Sequence, residues 1–283
     1  MSERLRAALS EALASPVHAL AAVHGGDIHR AFRARLADGT TVFVKTSDDA
    51  PSDMFAKEAR GLAWLAEARS LRVPRVLAVL EDPRALVLEW IARGAREDEE
   101  ALGRGLAALH RAGAPSFGHV EDNYLASIAV DDRPRADWPT FYGEARLIPL
   151  AALAHRGGAL DAGAVRRIER LARALPQRVG PAEPPARLHG DLWSGNVIGD
   201  AIGGPVLIDP AVFGGHREID LAMMRLFGGF SPRTFAAYHE AFPLASGHEE
   251  RVPLYQLLPL LAHAVLFGGG WAPRVASVLG RLD

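Results

Sequence analysis

The segment His189-Gly190-Asp191-Leu192-Trp193-Ser194-Gly195-Asn196 is followed, after a short connection, by Val206-Leu207-Ile208-Asp209. Two carboxylates and an amide thus stand at fixed intervals around apolar residues of the kind that form short strands. The pattern predicts a polar loop that leads into a hairpin.

The predicted hairpin spans residues 197–208, with Val197 paired with Ile208. This register would place Asn196 opposite Asp209 at the open end of the hairpin. An amide oxygen and a carboxylate presented together suit Mg²⁺, a hard cation that prefers oxygen ligands. These two residues are therefore the candidate metal ligands.

Asp191 lies on the loop that enters this hairpin, five residues before Asn196. Its carboxylate would face the same site, where it could accept the proton of a substrate hydroxyl as a general base. The alternative is a polar loop in which Asp191 caps backbone groups and Asp209 begins a turn at Pro210. The complete spacing, His-Gly-Asp-x-x-x-x-Asn before a strand that ends in Asp, favours the catalytic interpretation.

Composition argues against several classes of function. The chain has 283 residues, of which 49% are hydrophobic, a formal net charge of -2 and no cysteine. The charge lacks the basic excess that binds nucleic acid or an anionic membrane. Without cysteine the chain has no disulfide and no thiol chemistry, which fits a reducing compartment. We expect a cytoplasmic protein with neither nucleic acid nor membrane as a partner.

One apolar stretch, Leu254–Trp271, approaches the length of a membrane span. It contains Gln256, Pro259, His263 and three consecutive glycines, whereas a spanning helix needs roughly 20 mostly apolar residues. A buried helix is the expected structure. Export is not expected either, because the chain starts with an amphipathic stretch rather than the apolar core of a signal peptide.

The first third of the chain predicts a small sheet and one internal helix. Residues 1–22 carry leucines at helical spacing, which predicts a further helix before the sheet. Two hairpins are indicated, one at Asp38-Gly39 and one around Asp82-Pro83. Between them, Ser52–Ala68 predicts the internal helix.

From Glu97 onward the pattern is mostly helical. The composition changes near Arg93-Gly94, where we place a boundary. The sequence therefore predicts an α+β fold with two lobes, an N-terminal lobe over residues 1–92 and a C-terminal lobe over residues 93–283.

Lys45 ends a predicted strand, so its charge emerges at the edge of an apolar surface. The other lysine of the chain is Lys57, among 32 basic residues, which suggests that a compact ammonium is needed at position 45. Glu58 shares a helix face with Phe55 and Leu62 and would be costly to bury without a cation. The pattern favours an ion pair that holds Lys45 on a phosphate. The alternative is that Glu58 reaches water.

These motifs together resemble the aminoglycoside phosphotransferase and protein-kinase-like superfamily, and within it the fructosamine kinase family. The resemblance covers nearly the whole chain. The loop at Asp191 is shared across the superfamily, whereas the tract Asp209–Gly229 is similar to fructosamine kinases in particular. Other matching segments are Gly25-Gly26-Asp27-Ile28, Phe43-Val44-Lys45-Thr46, Asp122-Asn123-Tyr124 and Phe267-Gly268-Gly269-Gly270.

The resemblance implies a two-lobed protein-kinase-like fold. Its small N-terminal antiparallel sheet lobe, over residues 1–92, would bind the nucleotide, and its larger, mostly helical C-terminal lobe, over residues 93–283, would carry the catalytic and substrate-binding residues. It implies ATP and Mg²⁺ as cofactors. Asp191 would be the catalytic base, and Lys45, positioned by Glu58, would contact the nucleotide phosphates. Asn196 and Asp209 would bind the metal.

The resemblance also assigns nucleotide contacts to two further segments. Gly25 and Gly26 would cover the phosphates, although two glycines alone indicate only a turn. Backbone groups from Glu89 to Ile91 would bind adenine, for which a buried strand end is the alternative.

On the acceptor side, the resemblance implies that Trp193 presents a flat ring to the sugar, with core packing as the alternative. His263 is either a hydrogen-bonded core histidine or part of the acceptor pocket. Asp220 and His189 would brace the catalytic loop. The segment His216-Arg217-Glu218 matches the family but could be an exposed turn, and no role is assigned to it.

The chain departs from the family pattern at positions on which acceptor specificity could depend. His29 stands where the family usually has Asn, and Phe213-Gly214 replaces a pair of tyrosines. Ala262 and Val265 replace asparagines near the end of the chain. These changes leave the phosphoryl-transfer residues intact.

The predicted function is ATP-dependent phosphorylation of the sugar 3-hydroxyl of a ketosamine, which destabilises the glycation adduct and frees its amine. Fructosamines and ribulosamines are the expected acceptors. One alternative is another small-molecule kinase, acting on an aminoglycoside, choline or a metabolite, and a second is a non-catalytic nucleotide-binding protein. Acidic side chains beside Trp193 would favour an aminoglycoside, because that acceptor is a polycation.

Overall fold

The computed structural model describes residues 2–23, 29–94 and 97–282, which form an α+β fold. The chain divides into two compact units. The first unit comprises Met1–Asp98 and Val197–Pro210, and the second comprises Glu99–Asn196 and Ala211–Asp283. The functional lobes predicted over residues 1–92 and 93–283 stay a prediction.

The first unit is built on a five-stranded antiparallel sheet with the strand order β1-β2-β3-β5-β4. Its strands are β1 (Val17–Val23), β2 (Arg30–Leu36), β3 (Thr41–Thr46), β4 (Val76–Glu81) and β5 (Arg84–Glu89). Both predicted hairpins are present, because β2 pairs with β3 across Asp38-Gly39 and β4 pairs with β5 across Asp82-Pro83.

The prediction of one helix over residues 1–22 is wrong. Helix α1 (Ser2–Ala12) ends before Ala14, whose backbone is left-handed with a φ of 49°. Pro16 follows, and proline can neither donate a helical hydrogen bond nor let the preceding residue stay helical. Leu20, which fits the leucine spacing, therefore lies in strand β1 instead.

Strand β3 fixes the direction of Lys45. Successive residues of a strand point to opposite faces of the sheet. Val42 and Val44 are buried in the apolar cluster that also holds Leu5 and Leu9 of α1. Lys45 therefore belongs to the other face, on which it meets Glu58 of helix α2 (Met54–Glu67).

The second unit is mostly helical, as predicted from Glu97 onward. A large apolar cluster lies in its interior. A π-helical segment, Phe141–Leu147, joins α4 to α5. The helices are α3 (Glu99–Ala112), α4 (Trp138–Thr140), α5 (Ile148–Arg156), α6 (Ala162–Ala174), α7 (Glu218–Phe227), α8 (Pro232–Ala241), α9 (His248–Phe267) and α10 (Ala272–Leu282).

The remaining strands of the described residues are short, with three residues each. They are β6 (Asn123–Leu125), β7 (Ile128–Val130), β8 (Ala186–Leu188), β9 (Val197–Gly199), β10 (Pro205–Leu207) and β11 (Phe213–Gly215). Strand β6 pairs with β7, β8 with β11, and β9 with β10. The β9–β10 hairpin belongs to the first unit.

The predicted hairpin after the catalytic loop is present, but its register is wrong by one residue. Val197 pairs with Leu207 rather than with Ile208. The turn closes earlier than predicted because the carboxylate of Asp200 accepts the backbone N–H of Gly204 at 2.8 Å. The sequence pattern alone does not fix the length of such a turn.

The apolar stretch beginning at Leu254 forms part of α9, and its residues from Leu254 to Ala262 are buried. The prediction of a buried helix is confirmed. Within the ranges 2–23, 29–94 and 97–282, no helix combines the length and the apolar character needed to cross a membrane.

Candidate active site

In the first unit, three predicted site residues come together around Lys45. Its Nζ donates to both carboxylate oxygens of Glu58 at 3.0 Å and to Oδ1 of Asp209 at 3.2 Å. The side chains of Lys45 and Glu58 are only 13% and 10% exposed, whereas that of Asp209 is 42% exposed. The expected Lys45–Glu58 ion pair is therefore present, and Asp209 joins it as the more accessible carboxylate.

The ammonium of Lys45 is charged at physiological pH. Burial alone would lower its pKa, but the negative charges of Glu58 and Asp209 outweigh burial and raise the pKa above its ordinary value. A buried ammonium with two carboxylates is fully compensated. The site thus keeps a fixed positive charge beside an accessible carboxylate.

Asp209 has an unusual backbone. Its φ of 52° lies in the left-handed region, which costs a residue other than glycine roughly 1–2 kcal/mol. Such backbone strain in a residue with a buried charge partner is a pointer to function rather than to stability. Residue spacing does not predict this conformation.

Two further predicted residues of the first unit, Glu89 and Ile91, have different surroundings. The backbone N–H of Glu89 donates to the carbonyl of Arg75 at 2.9 Å, and its carboxylate pairs with Arg72 and Arg75. The backbone N–H of Glu89 already has a hydrogen-bond acceptor within the first unit, so it is not available to donate to adenine. Ile91 is 8% exposed and packs in a small apolar cluster with Ile198 and Val206.

The remaining predicted nucleotide residues, Gly25 and Gly26, lie outside the described residues. His29 is the first described residue after them in the sequence, and its ring contacts Phe55 edge-on, with 5.5 Å between centroids. Burial, and then the charge of Lys45, lower the pKa of His29 to about 4, so its ring is neutral at physiological pH.

In the second unit, the catalytic loop is fixed through its backbone. Asp220 of α7 accepts the N–H groups of His189 and Gly190 at 2.8 and 2.9 Å. Gly190 has a φ of 84°, and a Cβ there would lie 1.9 Å from the carbonyl oxygen of Ala211. Only glycine fits, so the loop has little freedom around Asp191.

Asp191 and Asn196 contact each other within this loop. The Nδ2 of Asn196 donates to the backbone carbonyl of Asp191 at 2.8 Å and to its Oδ2 at 3.1 Å. Asn196 is only 4% exposed, whereas Asp191 is half-buried. Because its nitrogen is directed to Asp191, the oxygen is the atom that Asn196 would offer to a metal.

The sequence did not reveal a buried hydrogen-bonded chain behind the loop. His110 of α3 contacts Oδ2 of Asp220 through Nε2 at 3.2 Å and the hydroxyl of Tyr238 through Nδ1 at 2.8 Å. All three side chains are at most 2% exposed. His110 continues the apolar face of α3, which was a signal, but nothing in the sequence identifies its partners.

The two predicted acceptor residues, Trp193 and His263, meet through Phe227. Trp193 is 39% exposed, and its ring covers Gly195, where a Cβ would lie 2.2 Å from the ring. Ring centroids are 6.5 Å apart between Trp193 and Phe227 and 5.0 Å apart between Phe227 and His263. His263 also donates through Nδ1 to the carbonyl of Pro259 at 2.7 Å, so it is hydrogen-bonded yet half-buried.

The segment His216-Arg217-Glu218 is buried, so the alternative of an exposed turn is wrong. Arg217 forms a bidentate pair with Glu183 at 2.7 and 2.8 Å, and Glu218 pairs with Arg251 at 2.6 and 3.0 Å. His216 stacks on Tyr255 with 5.3 Å between centroids. These contacts are structural.

The departure Phe213-Gly214 also lies in the core rather than beside Trp193. Phe213 stacks on Phe141 at 5.6 Å, and a Cβ on Gly214 would lie 2.0 Å from the carbonyl oxygen of Ser116. Phe213 and Gly214 are therefore removed from the positions on which acceptor specificity could depend.

The donor atoms of Asn196 and Asp209 fit Mg²⁺ in their chemistry, because one offers an amide oxygen and the other a carboxylate. The carboxylate is accessible, as its 42% exposure indicates. Among the described positions, no group of three or more His, Cys, Asp or Glu is arranged to hold a metal. Proteins usually bind magnesium with further oxygens from phosphates and water.

The fold and the two groups of polar residues define the class of protein, a phosphotransferase of the kinase-like fold. A macrolide 2′-phosphotransferase type I shares this fold with a TM-score of 0.64, over 100% of this chain and 96% of its own. The two sequences are 17% identical, so the likeness concerns the fold alone.

Within that class, the sequence profile of the fructosamine kinases matches residues 1–282, and the chain belongs to the fructosamine kinase family. A Thermus thermophilus protein named a probable ketoamine kinase is 45% identical over 88% of each chain. A chloroplastic protein-ribulosamine 3-kinase of Arabidopsis thaliana is 35% identical over 96% of this chain and 84% of its own. A Thermobifida fusca crystal structure assigned as a fructosamine-3-kinase has a TM-score of 0.90 at 42% identity, covering 98% and 97% of the two chains.

The predicted family, the kinase-like fold class and the phosphotransferase class of the enzyme are thereby confirmed. The individual roles of the site residues stay predictions.

Proposed function

We propose that this enzyme transfers the γ-phosphoryl group of ATP to the sugar 3-hydroxyl of a low-molecular-weight ketosamine. The observation that carries the proposal is the arrangement around Lys45, a buried ammonium bound by Glu58 and by the accessible Asp209. A fixed cation of this kind suits nucleotide phosphates, and the family to which the chain belongs supplies the acceptor class.

The chain's own residues would act as follows. Asp191 accepts the proton of the sugar hydroxyl, whose oxygen attacks the γ-phosphorus while the bond to the departing ADP breaks. Asn196, which donates to Asp191, keeps that carboxylate oriented. Lys45 neutralises charge on the phosphates, and Glu58 keeps its ammonium in place.

Asn196 and Asp209 would hold Mg²⁺. When bound, the ion neutralises phosphate charge and helps to align the group that is transferred. Ile208 is partly exposed and packs against the buried cluster of Ile91, Ile198 and Val206, an apolar environment of the kind on which an adenine ring packs.

The surroundings of Trp193 favour a ketosamine over an aminoglycoside. Trp193 contacts Phe227, which in turn contacts His263 and Trp271, and the guanidinium of Arg274 lies on Trp271, where its positive charge would repel a polycation. A polycationic acceptor would need carboxylates there instead. We also propose a cytoplasmic location and a role in repair, in which the phosphorylated adduct breaks down and frees its amine.

The test is an ATP-consumption assay with a ribulosamine, a fructosamine and kanamycin as acceptors. We expect turnover of the ketosamines and a loss of about 10²–10⁴-fold in kcat for Asp191→Asn, since an amide cannot accept the proton. The matched control is Asp161→Asn at the N-cap of α6, where Asn caps as well as Asp. Comparable turnover of kanamycin, or an Asp191→Asn variant with more than half the wild-type kcat, would contradict the proposal.

Metal binding is tested by titrating Mg²⁺ against activity. Asp209→Ala should raise the Mg²⁺ requirement more than Asn196→Ala does, because Asp209 supplies charge as well as an oxygen. An unchanged Mg²⁺ dependence in Asp209→Ala would remove that residue from the metal site.

A further inference from the structure

The rings beside Trp193 form a continuous surface, which we call the ring cluster. Its members are Trp193, Phe227, His263, Phe267 and Trp271. Trp271 lies 4.5 Å from His263 and 6.1 Å from Phe227, between centroids. The cluster therefore extends from the catalytic loop to the start of α10.

A single cationic side chain is recorded on this cluster within the described ranges. The guanidinium of Arg274, in the first turn of α10, lies 4.7 Å from the centroid of Trp271. A guanidinium on an indole face gains cation–π energy and loses conformational freedom. Arg274 is thus held on Trp271, which is connected to Trp193 only through the intervening ring of Phe227 among the recorded ring contacts.

Arg274 differs from the paired arginines of the second unit in its charge partners. Buried arginines of the second unit pair with carboxylates, as Arg217 does with Glu183 and Arg251 with Glu218. Arg274 is exposed, and it forms no ion pair with any residue in the described part of the chain. An oriented, unpaired guanidinium presents a planar fork that matches a carboxylate.

We infer that the preferred acceptor carries a carboxylate on its amine portion, and that Arg274 binds this carboxylate. The inference rests on the proposed ketosamine kinase function. The sugar hydroxyl must reach Asp191, two residues from Trp193, so the sugar occupies that end of the ring cluster. The group that reaches Arg274 is then at the opposite end of the adduct, on the amine-derived part. A glycated amino acid with a free carboxylate has the chemistry that this inference requires of the acceptor.

The experiment uses two acceptors that differ only in this charge, Nα-acetyl-Nε-ribulosyl-lysine and its carboxamide. The full-length enzyme is assayed for kcat/KM with each at saturating ATP. An exposed ion pair contributes modestly, so we expect the acid to be favoured by about fivefold. Arg274→Gln should bring the ratio of acid to amide close to one, and Arg274→Glu should favour the amide.

Arg281→Gln is the matched control, because Arg281 lies in the last turn of the same helix and should leave the ratio unchanged. The KM for ATP should not change in any of these variants. Equal turnover of acid and amide by the wild-type enzyme would overturn this inference and leave the ketosamine kinase function standing. A wild-type preference that persists in Arg274→Gln would overturn the role of Arg274, and no turnover of either acceptor would overturn both proposals.

Discussion

Lys45 shows why the chain keeps a lysine where arginine serves almost everywhere else. Its Nζ reaches three carboxylate oxygens within 3.2 Å from a nearly buried position. A guanidinium is larger and planar, and its donors diverge, so it cannot occupy the same point between Glu58 and Asp209. The small ammonium leaves the accessible carboxylate of Asp209 in place.

We therefore predict that Lys45→Arg retains the charge but lowers kcat/KM for ATP by about 10²-fold, the cost of a displacement of roughly 1 Å at a reacting centre. Lys57→Arg is the matched control. Lys57 lies on the same helix as Glu58, and it pairs with the N-cap residue Asp53. Steady-state kinetics with varied ATP measures both. Equal kcat/KM for the two variants would show that position 45 needs only a positive charge.

For individual side chains, the sequence predicted an ion pair between neighbouring elements better than the full group of residues around Lys45. The Lys45–Glu58 pair followed from strand alternation and helix spacing, which are local properties. The contact between Lys45 and Asp209 joins residues far apart in the chain, and it depends on the left-handed backbone of Asp209. Neither this contact nor this backbone conformation can be predicted from residue spacing.

Among the elements, helices α3, α7 and α8 together hold the catalytic loop. Each contributes one member of the chain Tyr238–His110–Asp220, which ends on the N–H groups of His189 and Gly190. The carboxylate of Asp220 can hold both N–H groups only while its own orientation is kept by His110. Tyr238 in turn fixes the imidazole.

We predict that Tyr238→Phe lowers kcat by about tenfold through a small displacement of the loop, with the KM for ATP unchanged. Tyr142→Phe is the control, because Tyr142 is equally buried and its hydroxyl donates to the carbonyl of Leu254 instead. Both variants should lose stability to a similar extent, about 1 kcal/mol. If kcat falls equally in both, the effect is general destabilisation, and Tyr238 does not position the loop.

Element types were predictable from the sequence where a periodic pattern was long, and less so where it was short. Helix α2 and the hairpins of the first unit follow from apolar spacing and turn residues. The division of residues 1–22 into α1 and β1 depended on a backbone reversal at Ala14, and the register of β9 and β10 depended on the turn at Asp200. Both are decided by a few hydrogen bonds.

For the molecule as a whole, one buried histidine links stability to pH. His216 is 3% exposed, and burial lowers its pKa to about 4. The unfolded chain, with an ordinary histidine pKa of about 6.5, binds a proton more readily than the folded one. Stability from this group is therefore complete above pH 6.5 and is lost as the pH falls towards 4.

We predict that the free energy of unfolding is about 2 kcal/mol lower at pH 5 than at pH 7 on account of His216. His216→Phe keeps a ring on Tyr255 but does not titrate, so this part of the pH dependence should disappear. Urea unfolding at both pH values measures it, with His18→Phe on the exposed strand β1 as control. The same pH dependence in His216→Phe and wild type would contradict the assignment.

The path of the chain between the units has a consequence for recombination between related genes. The β9–β10 hairpin is hydrogen-bonded to Arg72 and Gly94 of the first unit, although it is encoded between two segments of the second. A single crossover after codon 98 would thus join a sheet from one parent to the Asp209 of the other. A chimera that keeps each unit from one ancestor needs three junctions, at residues 98/99, 196/197 and 210/211. The segments that carry Lys45 and Asp209 can therefore be inherited from different parents. We expect a functional hybrid only when the two parental segments preserve the contact between these residues.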